Sequence, residues 1–138
     1  MIDGKLIDWV AQSTIDKLGG NPNAYGVVSM APMDSATFCE CPRCWALYEP
    51  VEVEEFCFEW GGRMNVSDAY YEFIRDVATR VGARLPNVHI GALAYANYHK
   101  PPRRIARLPD NVDMRICMYG IYSLPLTHPK NAAMLDRL

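Results

Sequence analysis

The sequence lacks three features that would place it in a specialised class. Basic residues are not in excess, since 14 Lys and Arg stand against 16 Asp and Glu and the formal net charge is -2, so no nucleic-acid partner is expected. No apolar run reaches the roughly 20 residues that span a bilayer, so no membrane partner is expected. The N-terminus, MIDGKLIDWVAQ, has no basic segment followed by an apolar one, so no signal peptide is predicted.

The number of cysteines is odd. With 5 cysteines, at least one thiol stays unpaired or serves as a ligand, which excludes the framework of a disulfide-rich miniprotein. Half of the residues are apolar and 22% are charged, as in ordinary globular proteins. A length of 138 residues predicts a single domain over residues 1–138.

Apolar periodicity predicts alternating helices and strands. Residues 4–18 carry one apolar face at helical spacing, and Gly19-Gly20 is the expected end of that helix. A second helix is predicted from Ser67, its expected N-cap, to Gly82, its expected stop. Short apolar runs predict strands of a buried parallel sheet at 24–31, 87–95 and 112–120.

This order of elements predicts an α/β fold. Three strands alone would leave two open sheet edges, and a complete (β/α)₈ barrel takes roughly 250 residues. We therefore expect a partial (β/α)₈ TIM-barrel fragment with about three parallel strands and flanking helices. The remainder of the barrel or a homo-oligomer would complete it. A long cysteine-containing loop at about 35–66 is expected to be functional.

Three cysteines crowd that loop at C-x-C-x-x-C spacing. Cys39, Cys41 and Cys44 could hold a structural zinc, with Cys57 at the far end of the loop as the fourth ligand. A disulfide of Cys39 or Cys41 with Cys44 or Cys57 is the alternative in an oxidising compartment, and idle thiols are the third. A redox-catalytic role is less expected, because no C-x-x-C opens a helix after a thioredoxin-like strand. Cys117 lies inside a predicted strand and is expected in the core.

Four ordered segments carry a family resemblance. They read SMAPMDSATFCECPRC, SDAYYEFIRDVATRV, HIGALAYANYHKPPRRI and DNVDMRICMYGIYSLPLTHPKN. Together they resemble the family of domain of unknown function 4838, an uncharacterised α-glucuronidase-like barrel related to glycoside hydrolases. The resemblance implies a fragment of a carbohydrate-active barrel, a polysaccharide or oligosaccharide partner, and a secreted or periplasmic location. It implies glycoside hydrolase-like activity only within a complete barrel.

Barrel enzymes carry their active sites at the carboxyl ends of the strands. By the resemblance, Asp34 after the first strand would be the acid/base of a glycosidase; a turn-forming or capping aspartate is the alternative. No second carboxylate is visible, so the chain alone is expected to be inactive. The residues expected to contact substrate are Tyr95, Asn97, Tyr98, His99 and Tyr119 at the same mouth and Arg115 inside the barrel. The alternatives are a plain βα loop with an ordinary surface histidine, and an Arg115 paired with a structural carboxylate.

Two alternatives to the glycoside hydrolase remain open. One is a non-catalytic glycan-binding module that uses the same aromatic residues, and the other is a small cysteine-ligated metalloprotein. Lys100, Arg103 and Arg104 form a basic patch that could attract an acidic sugar or could be a solvated loop. The sugar-enzyme interpretation requires the segments that end at Asp34, Tyr95 and Tyr119 to lie side by side and to run the same way.

Overall fold

The computed structural model describes residues 3–32, 38–50, 64–117 and 127–129. The helices are α1 (Gly4–Lys17), α2 (Pro42–Trp45) and α3 (Ser67–Gly82), and a 3-10 helix spans Ala96–Tyr98. The strands are β1 (Gly26–Ser29), β2 (Glu49–Pro50), β3 (Met64–Asn65), β4 (Val88–Ala94) and β5 (Val112–Ile116).

A three-stranded sheet in the order β1-β4-β5 forms the centre of the fold. Both pairings are parallel, with Gly26 opposite Val88 and Ile90 opposite Val112. The predicted α/β class with three parallel strands and flanking helices is therefore confirmed. The long connection after β1 holds more structure than its sequence predicts, because it contains α2 and the antiparallel pair of β2 with β3.

The core lies between the helices and one face of this sheet. Helix α3 places Ile74, Val77 and Val81 in that core at 0% exposure, and α1 adds one apolar face. Along β4, alternate residues from Val88 to Ala94 are buried and the residues between them are half-buried. The sequence predicts strands buried on both faces, but in the described part of the chain only the helix-facing side is fully covered.

The end of α1 agrees with its sequence prediction, and the start of α3 differs from its prediction. Gly19 and Gly20 have φ values of 67° and 61°, as predicted for the end of α1. Ser67, in contrast, is the first residue of α3 and not its N-cap, which is Val66. The amide oxygen of Asn65 accepts from Ser67 N at 3.0 Å, and Tyr70 N donates to Val66 O at 3.0 Å, so these two amides at the helix start are satisfied without the Ser67 hydroxyl. The Ser67 hydroxyl is buried with no hydrogen-bond partner among the described residues.

Gly82 is the last residue of α3, and its φ is not positive. Asn111 Nδ2 donates to the carbonyl oxygens of Ala78 at 2.9 Å and Val88 at 3.4 Å, which joins the helix end to β4. A Cβ on Gly82 would lie 2.8 Å from that nitrogen. The glycine therefore leaves room for the Asn111 bridge.

Gly82→Ala is therefore expected to lower the free energy of unfolding by about 1–2 kcal/mol, because the displaced Asn111 outweighs the gain in helix propensity. Gly4→Ala is the matched control, since nothing lies within 4 Å of a Cβ at Gly4. Urea denaturation of both variants measures the difference. A Gly82→Ala protein as stable as the unmodified chain would show that the bridge carries no weight.

None of the helices in the described part of the chain combines the length and the apolar character that a bilayer crossing requires.

Candidate functional site

Helix α2 brings the three clustered cysteines together. Cys41 is its N-cap and Pro42 its first residue, a position for which proline's fixed φ is already suited. Trp45 N donates to Cys41 O at 2.9 Å and closes the turn. The Sγ atoms of Cys39, Cys41 and Cys44 all lie within 4.8 Å of one another. No disulfide joins the described cysteines, so three thiols converge where one metal ion could bind them.

Tyr48 braces this cysteine cluster. Its hydroxyl donates to the carbonyl oxygen of Cys39 at 2.9 Å, and Leu47 N donates to Cys44 O at 2.9 Å. The Tyr48 ring also meets Trp45 edge-on, with the ring centroids 6.1 Å apart. These contacts fold residues 39–48 into a closed turn that holds the thiols in place.

The thiols of the cluster differ in acidity. The backbone N–H of Cys44, followed by the neighbouring thiols, lowers the pKa of Cys41 to about 7. Burial, followed by the thiols of Cys41 and Cys39, raises the pKa of Cys44 to about 11. Burial also raises the pKa of Tyr48 to about 12. The cluster thus offers a thiolate at Cys41 near neutral pH, and a metal ion would displace the proton from Cys44.

The cysteine cluster stands near the carboxyl end of β4. Phe38, which precedes Cys39, packs edge-on against Tyr98 with the centroids 5.8 Å apart. Tyr98 belongs to the 3-10 helix that follows β4, and its ring also contacts Tyr70 at 4.6 Å and Tyr95 at 6.2 Å. The loop after β1 and the loop after β4 therefore meet at the carboxyl ends of the parallel strands. We call this side of the sheet its carboxyl edge.

Two residues predicted to contact substrate at this edge are buried. Ala96 takes a left-handed φ of 49°, and the 3-10 helix that begins there packs against α3. Asn97 and Tyr98 are consequently 7% and 2% exposed. Asn97 O accepts from Val66 N at 2.7 Å, while the Asn97 side-chain oxygen is buried with no hydrogen-bond partner among the described residues. Both side chains are therefore buried, and their roles in substrate binding stay predictions.

The other predicted substrate contacts fall into two groups. Tyr95 and His99 are half-buried at the same edge, and His99 Nδ1 lies 2.8 Å from Ala96 O. Arg115 lies on β5 and is exposed, and no described element covers it as a barrel interior would. Their roles in substrate binding stay predictions.

Three predicted site residues lie outside the described residues: Asp34, Cys57 and Tyr119. Their roles as acid/base, fourth metal ligand and substrate contact stay predictions, as does the opening of the segments that end at Asp34, Tyr95 and Tyr119 onto one pocket.

A buried ion pair at the start of α3 was not predicted from the sequence. The Asp68 side chain is 4% exposed and accepts from the backbone N–H groups of Arg103 at 2.7 Å and Arg104 at 3.3 Å. The Arg103 guanidinium donates to the same carboxylate at 3.0 Å and 3.3 Å. One carboxylate thus anchors the loop between β4 and β5 to the start of α3.

Glu49 extends this network to the antiparallel pair of β2 and β3. Its two carboxylate oxygens accept from Arg103 at 2.8 Å and from Asn65 Nδ2 at 3.1 Å. Arg104 in turn pairs with Glu72 at 3.1 Å. Both arginines of the predicted basic patch are therefore neutralised by the chain's own carboxylates. The interpretation of Arg103 and Arg104 as a free attractor for acidic sugars is not supported.

Comparison with known proteins places the chain in a family without an assigned role. The model of the family described as domain of unknown function (DUF4838) matches residues 2–138. No curated protein and no solved structure matches the chain.

Proposed function

The chain belongs to the DUF4838 family, and we propose that it holds one zinc ion through Cys39, Cys41 and Cys44. The ion would serve as a structural centre. It would cross-link the turn of residues 39–48 and fix that turn at the carboxyl edge of the parallel sheet.

The convergence of the three Sγ atoms within 4.8 Å carries this proposal. Zinc binds cysteine sulfur at about 2.3 Å in a tetrahedral arrangement, which separates the sulfurs by about 3.8 Å. The cluster thus needs only small side-chain rotations to reach zinc geometry. Three ligands leave one tetrahedral position, for which Cys57 stays the predicted occupant.

A structural role fits the surroundings of the cluster. Helix α2, which carries the cluster, has no buried residue. The turn therefore has little apolar core of its own. A metal ion that bound the folded turn would contribute its binding free energy to folding. At the site, the residues of this chain would supply thiolates, and Tyr48 would hold the backbone at Cys39.

Elemental analysis of chain purified from zinc-supplemented medium tests the proposal. We expect about one zinc per chain, and replacement by Co²⁺ should give the thiolate-to-cobalt charge-transfer absorption of sulfur ligands. Protein that retains no zinc and gives no such absorption with Co²⁺ would refute the proposal.

Glycan binding at the same edge is a second candidate, favoured by the exposure of Trp45. This ring is 47% exposed although it lies on the turn that the cysteine cluster and Tyr48 hold in place. Aromatic rings on a fixed backbone can stack against the apolar faces of sugars, and Tyr95 lies at the same edge of the sheet. Hydrolysis would further require Asp34 and a second carboxylate, and stays a prediction.

Trp45→Ala is expected to weaken the binding of oligosaccharides that contain glucuronic acid by at least about tenfold, because it removes the stacking surface. Titration calorimetry measures the affinity. Trp9→Ala is the control, since Trp9 is 67% exposed on α1. Equal binding by both variants, or none by the unmodified chain, would remove this candidate.

A further inference from the structure

Strand β5 has an unpaired edge in the described part of the chain. One side of the strand pairs with β4 and no described strand lies on the other. Residues 113–116 are all exposed, and among them Met114 and Ile116 are 36% and 44% exposed. Neither lysine nor proline, which natural edge strands use to block pairing, occurs in this strand.

The backbone directions of β5 show which groups this edge offers. The N–H and C=O of one strand residue point to the same side, and those of the next residue point to the other. Cys117 N donates to Ala94 O at 2.9 Å, and Asn111 O accepts from Ile90 N at 2.8 Å. The odd-numbered residues of this stretch therefore bond to β4. The groups that point outward belong to Val112, Met114 and Ile116.

We propose that β5 pairs antiparallel with β5 of a second copy of the chain, with Met114 on the two-fold axis. The two Met114 residues would exchange both of their backbone hydrogen bonds. Val112 O would accept from Ile116 N of the other copy. Val112 N already donates to Pro109 O at 3.0 Å and needs no further acceptor. In this register the outward N–H groups of Met114 and Ile116 both gain an acceptor in the other copy.

The charges of β5 select this register. The strand alternates as Val-Asp-Met-Arg-Ile, so pairing about Met114 places Asp113 of each copy opposite Arg115 of the other. Pairing about Asp113 or about Arg115 would instead place two like charges directly opposite each other, which is destabilising. Pairing about either strand end gives no opposite-charge pair. Met114 is the one centre within the strand that pairs unlike charges.

Both charged side chains are available for such pairs. The Arg115 side chain makes no ion pair with any described residue. One Asp113 oxygen lies 2.8 Å from His89 Nδ1, and the Asp113 side chain is 50% exposed. On the opposite face, Met114 would meet Met114 of the other copy and Ile116 would meet Val112 of the other copy, which would bury apolar area now exposed. The assembly is a six-stranded sheet, and it does not depend on the cysteine cluster.

Charge reversal with rescue tests the proposal. We expect sedimentation of the full chain at roughly 100 µM to give twice the 15.6 kDa of one chain, a concentration that saturates a micromolar complex. Arg115→Asp would place two aspartates opposite each other, and should weaken association by at least about tenfold. The double variant Asp113→Arg with Arg115→Asp restores opposite charges and should restore the dimer.

Met114→Pro gives a second, independent disruption. It removes an outward N–H and spares the pairing with β4, so the folded monomer should persist and circular dichroism should not change. A sedimentation mass of 15.6 kDa at this concentration would show a monomer and would overturn the proposal. The edge of β5 would then be free to pair with a strand other than β5. A dimer that Arg115→Asp leaves intact, or that the double variant does not restore, would also overturn it.

Discussion

Asp68→Asn is expected to lower the free energy of unfolding by about 2–3 kcal/mol. The substitution keeps the shape of the side chain but removes the buried charge and turns one of the two acceptor oxygens into a donor. In one orientation that donor would face the backbone N–H groups of Arg103 and Arg104, which now lie 2.7 Å and 3.3 Å from Asp68 Oδ1. In the other it would face the Arg103 guanidinium, which now donates to Oδ2. The expected loss of unfolding free energy is at the lower end of the range for breaking a buried ion pair, because the Arg103 side chain is 59% exposed and can be solvated.

Asp110→Asn is the matched control for this prediction. Asp110 pairs with Arg107 at 2.6 Å, but both side chains are more than four-fifths exposed. Surface pairs of this kind contribute about 0–1 kcal/mol, so the control should unfold almost like the unmodified chain. Urea denaturation of all three proteins at neutral pH gives the comparison. Similar midpoints for Asp68→Asn and Asp110→Asn would show that the Asp68 network does not anchor the loop.

Cys44→Ser is expected to reduce zinc affinity by more than about 100-fold, since even outer-shell changes around a metal cost 10–100-fold. Cys44 is the thiol whose pKa burial raises to about 11, so zinc must displace its proton and affinity should fall as pH decreases. Competition with a chromophoric chelator measures the affinity of the reduced protein.

Cys117→Ser serves as the control for the zinc measurement. Cys117 is a free thiol that follows β5 and lies outside the cysteine cluster. Its replacement should leave zinc affinity unchanged and should keep the thermal stabilisation that zinc gives the unmodified chain. Equal affinity in the Cys44 and Cys117 variants would exclude the cluster as the zinc site.

Local sequence patterns predicted the elements that depend on local physics. Helix α3 was predictable because its apolar residues repeat at helical spacing, and the parallel direction of the three strands followed from the α/β order of elements. The cysteine cluster was predictable for the same reason, since Cys41 and Cys44 lie in one turn that Pro42 starts.

The features that were missed depend on tertiary contacts. Asp68 and Arg103 are 35 residues apart, and no local pattern links an aspartate at a helix start to an arginine in a distant loop. The burial of Tyr98 follows from the left-handed backbone at Ala96, which alanine rarely adopts and which its sequence does not indicate. The shared carboxyl edge was thus predicted, while the orientation of the side chains along it was not.

X-ray absorption at the zinc edge, on chain purified with zinc and kept reduced, tests the central claim most directly. The proposed centre predicts a first shell dominated by sulfur at about 2.3 Å. A first shell of nitrogen and oxygen alone at about 2.0–2.2 Å, with all three clustered thiols open to alkylation, would contradict it.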